Sequence, residues 1–194
     1  GVKYSDAKKE GILDKLSYNV HADENDNPRI NIDGKDYSPE EISAMILTKM
    51  RKTAEDHNGE TITDTVITCP AWFDDPARQA TKNAGIIAGL NVLNVINEPT
   101  AAIMSSNIDV NTDAIVMVAD IGQGTTDFSI CDISDGVVEI KASKGDVFLG
   151  GADFDNAIAQ WIIDECKSET GADLSKDSMA MQRVLEASEK AKVE

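Results

Sequence analysis

The stretch Ile115-Val116-Met117-Val118-Ala119-Asp120-Ile121-Gly122-Gln123-Gly124-Thr125-Thr126-Asp127-Phe128-Ser129-Ile130-Cys131-Asp132-Ile133 decides how this chain is read. Five apolar residues, Ile115 to Ala119, predict a buried strand that Asp120 ends. Gly122-Gln123-Gly124 predicts a tight turn. From Thr126 to Ile133 apolar and polar residues alternate, which predicts a half-buried strand with Phe128 and Ile130 on one face and Asp127 and Ser129 on the other. Asp135-Gly136 is a two-residue hairpin signal before a third strand, Val137 to Ala142. Together these predict an antiparallel meander.

Upstream, the pattern changes period. Ser38-Pro39-Glu40-Glu41 combines a serine cap, an early proline and a glutamate three residues after the cap, which is a helix start. Ile42, Met45, Ile46 and Met50 then share one helical face, and the helix ends near His57-Asn58-Gly59. Thr65 to Cys69 predicts a short buried strand, and Asp75-Pro76 starts a second helix. Leu90 to Ile96 predicts another strand, and Pro99 to Met104 opens a third helix with Glu98 as its N-cap. This α-β-α-β-α order implies a parallel or mixed sheet with helices packed on it. Residues 1 to 37 form a smaller β-rich excursion: a short helix near Tyr4 to Lys9, alternation at Leu16, Tyr18 and Val20, a turn-rich stretch from Asp23 to Pro28, a strand from Arg29 to Ile32, and a turn at Asp33-Gly34. Downstream, Gly150-Gly151 precedes a helix from about Phe154 to Cys166, and a last helix runs from Met179 onward. A polar break near Asn107 to Asp113 separates the two halves.

The chain has 194 residues, 41% of them hydrophobic, enough to bury a real core. Its formal net charge of -17 argues against general nucleic-acid or anionic-membrane binding, since both need a basic face. The longest apolar run, Ala114 to Ala119, is too short to span a bilayer. Cys69, Cys131 and Cys166 are odd in number and far apart, which favours a reducing compartment over disulfides or a zinc site. The opening at Gly1 and the uncapped run from Ala187 to Glu194 suggest a piece of a longer protein.

Candidate chemistry gathers at the glycine turn. An acid on each side, Asp120 and Asp127, can hold a hydrated divalent cation while the turn N–H groups receive phosphate. The same pattern also fits a hairpin whose aspartates cap turn amides. Glu98 stands at a strand end before Pro99; it fits a helix cap, or a carboxylate that with Asp120 binds a metal or positions a water. Gly150-Gly151, with Asp153 as N-cap, fits a phosphate approach or a simple linker turn. His21 and His57 read as solvated, Trp72 and Phe73 as packing at a strand-to-helix turn, and Asp23 to Asp26 as a solvated loop.

Four blocks resemble the seventy-kilodalton heat-shock chaperones of the DnaK type. They are Val66-Ile67-Thr68-Cys69-Pro70-Ala71-Trp72-Phe73 with Arg78-Gln79-Ala80-Thr81-Lys82, then Ile96-Asn97-Glu98-Pro99-Thr100-Ala101-Ala102, then the Asp120 to Asp127 turn, then Gly145-Asp146 through Leu149-Gly150-Gly151 to Asp153-Phe154-Asp155. The resemblance spans essentially the whole chain in order. It implies the central part of an ATPase domain of α/β class, with the actin-like (ribonuclease H-like) fold of two lobes around a nucleotide cleft. On that pattern residues 1–38 form a small β-rich subdomain and 39–111 the α/β part of the first lobe. Residues 112–153 form the meander with the phosphate loop of the second lobe, and 154–194 begin its helical outer part.

The resemblance also assigns roles. Asp120 and Asp127 lie near magnesium through its waters. Gly122, Gln123, Gly124 and Thr125 form a phosphate loop, with the Thr125 hydroxyl near the γ-phosphate and Gly150 and Gly151 beside the nucleotide. Glu98, Thr125 and Asp127 are the catalytic candidates, with Glu98 orienting the attacking water. Glu189 and Lys192 reach the ribose and adenine of ATP or ADP. Pro70 and Arg78 relay nucleotide state to a peptide-binding domain outside the chain. The implied partners are unfolded polypeptide clients, a J-domain co-chaperone and a nucleotide-exchange factor, with neither nucleic acid nor membrane, in the cytoplasm or another reducing compartment. The family's first phosphate loop and its catalytic lysine fall before Gly1. The chain departs from the family at Gln123 (usually glycine), Ala152 (usually glutamate) and Asn94 (usually basic). Gln123 adopts either an ordinary backbone with its side chain leaving the loop, or a strained left-handed one. Other readings of the same fold are a sugar or acetate kinase and an actin-like filament or scaffold protein.

Overall fold

The computed structural model describes residues 2–13, 16 and 18–194. They fall into two compact units that divide between Ile108 and Asp109.

The first unit opens with helix α1 (Tyr4–Lys9) and three short strands, β1 (Val20–Ala22), β2 (Pro28–Ile32) and β3 (Lys35–Tyr37). The strands pair antiparallel in the order β1-β2-β3. Within the expected Leu16–Val20 alternation Ser17 lies outside the described residues, and Val20 opens β1. Ile32 pairs with Lys35 across Asp33-Gly34, both at positive φ, as a two-residue hairpin turn requires. The acidic stretch before Pro28 is an organised turn, with Glu24 and Asn25 exposed. Asp23 accepts the N–H groups of Asn25 and Asn27, both at 2.9 Å, and its other oxygen takes Arg29 Nη2 at 2.9 Å. Those bonds, led by the Asn27 N–H, hold its carboxyl far below the usual range. His21, expected to be solvated, lies 3.1 Å from Asp36.

Helix α2 (Pro39–Asn58) begins as the sequence predicts. Ser38 Oγ accepts the Glu41 N–H at 3.2 Å, and Glu41 accepts the Ser38 N–H at 2.7 Å. Gly59 ends the helix in the left-handed region. Strand β4 (Asp64–Cys69) and strand β5 (Asn91–Asn97) pair in parallel, joined through helix α3 (Asp75–Ile87), so this is a βαβ unit. Ala44, Ala88 and Leu90, with Leu47, form a core cluster where α2 meets the end of α3. Gly85 lets α3 close on the strands: a Cβ there would collide with Val92 Cγ2 and stand 2.7 Å from Ile67 Cδ1. Helix α4 (Glu98–Ser105) follows β5 directly. Its N-cap is Asn97, not Glu98, because β5 runs one residue further than the apolar pattern indicates.

The second unit is an antiparallel meander of β6 (Ala114–Ile121), β7 (Thr126–Ser134) and β8 (Val137–Asp146). Strand β6 is not buried on both faces, as the apolar run suggests. Ala114, Val116 and Val118 are half-buried, while Ile115 and Met117 are 69% and 63% exposed. Strand β4 alternates in the same way. The packed side of the meander centres on Cys131 and Ile133, both fully buried. Helix α5 (Gly151–Thr170) then packs on helix α6 (Ser178–Val193) through Ala159, Ile163 and Val184. Helix α5 starts three residues before the apolar pattern does. Gly150 is its N-cap, and Asp153, expected at that position, sits one turn in, accepting the Gly150 N–H at 2.8 Å.

Candidate functional site

In the second unit the register sets Asp120 directly opposite Asp127, and Ile121 opposite Thr126. Side chains so paired share one face with Cβ atoms about 4.5–5.5 Å apart, and two like charges there repel. Asp127 therefore lies on the packed face with Ser129 and Cys131, at its end. Its carboxylate is seated against Gly145, its partner on β8. A Cβ on Gly145 would run into Asp127 Oδ1 and stand 2.8 Å from Asp127 Cγ and 2.5 Å from the Thr126 carbonyl oxygen. The carboxylate occupies the room that the missing side chain leaves.

The turn between these aspartates is tied from behind. The Gly122 N–H donates to the Thr125 carbonyl at 2.8 Å. The first N–H groups of α5, those of Gly151 and Ala152, donate to the carbonyls of Gly122 and Gln123 at 2.9 and 2.8 Å. Gly150 has no room for a Cβ, which would stand 2.6 Å from the Gln123 carbonyl. The N–H groups of Gln123, Gly124 and Thr125 donate to no acceptor among the described residues. Three successive backbone donors beside a carboxylate pair can receive an anion that a cation bridges to the acids. Gln123 lies outside the left-handed region, which among non-glycine described residues holds only Asp26, Asp33 and Asp135.

The Gln123 side chain leaves the turn toward α5. Its Nε2 donates to Asp155 Oδ2 at 3.1 Å, and Lys192 Nζ meets Asp155 Oδ1 at 2.7 Å and the Gly151 carbonyl at 3.2 Å. Asp155 is only 6% exposed. The Lys192 bond, followed by that from Gln123, holds its carboxyl below the usual range against the opposing effect of burial. A depressed folded-state pKa gives stability that is present above the unfolded value of about 3.9 and lost as pH falls through the folded one. Acid unfolding followed by circular dichroism is accordingly expected to be less steep below about pH 4 in Asp155→Asn than in the parent chain. Identical acid limbs would contradict this. Beside these groups a cleft of about 300 Å³ is lined by Gln123, Asp155, Asn156, Gln182, Glu186 and Glu189, among others. Glu189 stands exposed at its rim.

In the first unit Arg78 on α3 fastens the turn after β4. Its Nε donates to the Phe73 carbonyl at 3.0 Å, and its Nη2 to the Ala71 carbonyl at 3.4 Å and to Asn97 Oδ1. The Phe73 N–H donates to the Pro70 carbonyl at 3.1 Å. Trp72 and Phe73 meet edge to face at 4.9 Å. Cys69 pairs with Asn97 in the β4–β5 ladder. Burial pushes the Cys69 thiol up, with Arg78 opposing and the Glu98 carboxylate adding to the rise. Pro70, Arg78 and Glu98 thus gather at the carboxyl ends of two parallel strands, the usual place for ligand groups in such sheets.

A family model described as Hsp70 protein matches residues 1–194. The chain belongs to the Hsp70 protein family. Its mixed α/β architecture is accordingly that of the actin-like ATPase fold. Full-length Hsp70 proteins are chaperones that bind ATP or ADP with magnesium, hydrolyse ATP, and work with client peptides and co-chaperones. Among the described residues no helix is long and apolar enough to cross a membrane.

Three residues of these sites stand in the blocks that resemble the family but take no assigned role from them. Asp155 reads as one acid in a helix start, Gly145 as a strand glycine, and Asn97 as a strand end. Only Gly145 has a local signal, since a glycine inside a strand marks a close approach by another group.

Proposed function

We propose that this chain is the central part of the nucleotide-binding domain of a DnaK-type chaperone, and that groups outside residues 1–194 complete its site. The observation that carries this reading is the Asp120–Asp127 pair flanking a turn whose Gln123, Gly124 and Thr125 N–H groups meet no acceptor among the described residues. The donor set suits the group the family implies, because paired carboxylates favour a hydrated hard cation and backbone N–H groups favour phosphate. When bound, magnesium would neutralise charge on the phosphates. Asp120 and Asp127 would hold its water ligands. The turn N–H groups and the Thr125 hydroxyl would orient the terminal phosphate, with Gly150 and Gly151 keeping the turn close to α5. Glu98 would accept a hydrogen bond from the attacking water and so fix its line of approach. Glu189 and Lys192 would meet the nucleoside.

Arg78, bonded to the turn after Pro70 and to Asn97 beside Glu98, supports the relay toward a peptide-binding domain. On this reading the partners are unfolded clients, a J-domain co-chaperone and an exchange factor. The free thiols of Cys69, Cys131 and Cys166 support a reducing compartment such as the cytoplasm. The fourfold division at residues 38, 111 and 153 belongs to the same reading.

Calorimetry tests it. The isolated 194-residue chain is expected to bind magnesium-ATP no tighter than about millimolar, roughly -4 kcal/mol. Several charge-assisted contacts, about 1.5–3 kcal/mol each, would come from outside it. Submicromolar binding by the isolated chain would overturn the proposal that essential groups lie elsewhere.

A further inference from the structure

Asp155 is a nearly buried carboxylate, and such a group needs a donor on each oxygen. Gln123 donates to Oδ2 and Lys192 forms an ion pair with Oδ1, and the two come from distant parts of the chain. Lys192 comes from the last turn of α6 and Gln123 from the turn between β6 and β7. Both side chains converge on Gly151. A Cβ there would stand 2.5 Å from Gln123 Oε1 and 3.1 Å from Lys192 Nζ. The backbone of the same turn accepts the Gly151 and Ala152 N–H groups. One junction therefore joins the turn, the start of α5 and the end of α6.

We propose that Gln123 is a positioning residue that couples the turn to Lys192 through Asp155. When Lys192 leaves Asp155 for a ligand at the Glu189 cleft, Gln123 loses a fixed acceptor and the turn loosens. When the turn is held, Asp155 is oriented and Lys192 stays at the α5 start. The meaning of this coupling for nucleotide rests on the phosphate-loop reading above. The coupling itself needs no ligand.

The test is a double-mutant cycle of Gln123→Gly and Lys192→Met in the intact chain without nucleotide. It is read as hydrogen exchange at the Gly151 and Ala152 amides, which neither change alters chemically. Lys192→Met is expected to speed that exchange about fivefold or more in the parent background and less than about twofold with Gln123→Gly already in place. Equal acceleration in both backgrounds would mean that Lys192 only packs α6 on α5, and would overturn the proposal.

If Lys192→Met does not fold, Gln123→Glu serves instead, since it changes only the turn side chain and sets a second carboxylate against Asp155. The Asp155 side-chain titration, followed by NMR, is then expected to move upward, and an unmoved titration overturns the proposal. Magnesium-ADP binding by the full-length protein, measured in parallel, separates the two ideas. Absent binding with a non-additive cycle supports the coupling and removes the phosphate reading. An additive cycle with binding intact overturns the coupling alone.

Discussion

Replacing Glu98 by alanine in the full-length protein is expected to lower single-turnover ATP hydrolysis by roughly 10²–10⁴-fold, the range for a positioned proton-accepting group. Nucleotide affinity should change little, because a group that acts on the attacking water contributes mainly to the transition state. Glu98 is the first residue of α4, directly after the β5 residue that Arg78 grips. Its contribution to the helix comes from a negative charge at the N-terminal end rather than from capping, since Asn97 holds the cap position. Loss of that charge costs about 0.3–1 kcal/mol, too little to unfold a domain. A denaturation curve beside the turnover measurement separates the two roles. Unchanged turnover in well-folded Glu98→Ala would reject the catalytic one.

Gly145→Ala is expected to produce the second large effect, although residue 145 has no side chain to contribute. The added Cβ cannot share space with the Asp127 carboxylate or the Thr126 carbonyl. The Asp127 side chain must turn away, since the Thr126 carbonyl belongs to the β7 backbone. A displacement of about 1 Å in a positioned group can cost about 10²-fold in rate. The strain on the fold itself should be about 1–3 kcal/mol, as for other overpacked sites. Turnover corrected for folded fraction should therefore still fall steeply. If it recovers fully after that correction, Asp127 does not need the seat that Gly145 leaves.

The sequence makes local structure legible where a few adjacent residues settle the backbone. Ser38-Pro39-Glu40-Glu41 is such a case, and Asp33-Gly34 and Asp135-Gly136 are two more. The meander and the Asp120–Asp127 pairing follow from spacing in the same way, because a short turn between antiparallel strands fixes the register. Helix starts are harder to place where polar residues crowd the boundary. Asn97 and Glu98 both precede Pro99, and only the length of β5 decides which is the cap. Glycines hide the true start of α5, since their low helix propensity argues against a helix that tertiary contacts with the 122–123 carbonyls support.

The apolar run of β6 overstates its burial, because apolar content alone does not say how many faces are covered. The contacts that organise the site are out of reach of any spacing rule. Gln123 and Asp155 are 32 residues apart, and Arg78 and Asn97 are 19 apart. They meet because elements pack, not because of a pattern along the chain.

The most direct test of the nucleotide reading is the magnesium dependence of ADP binding to the full-length protein, compared between the parent and Asp127→Asn. Asp120 and Asp127 face one another as like charges, so a divalent cation should strengthen binding through them. In the parent, ADP is expected to bind at least about tenfold more tightly with magnesium than with a chelator, a difference of about 1.4 kcal/mol. In Asp127→Asn that difference is expected to shrink to about twofold or less, with binding in the chelator unchanged. A variant that keeps the full magnesium effect would contradict the assignment of this carboxylate pair to the nucleotide site.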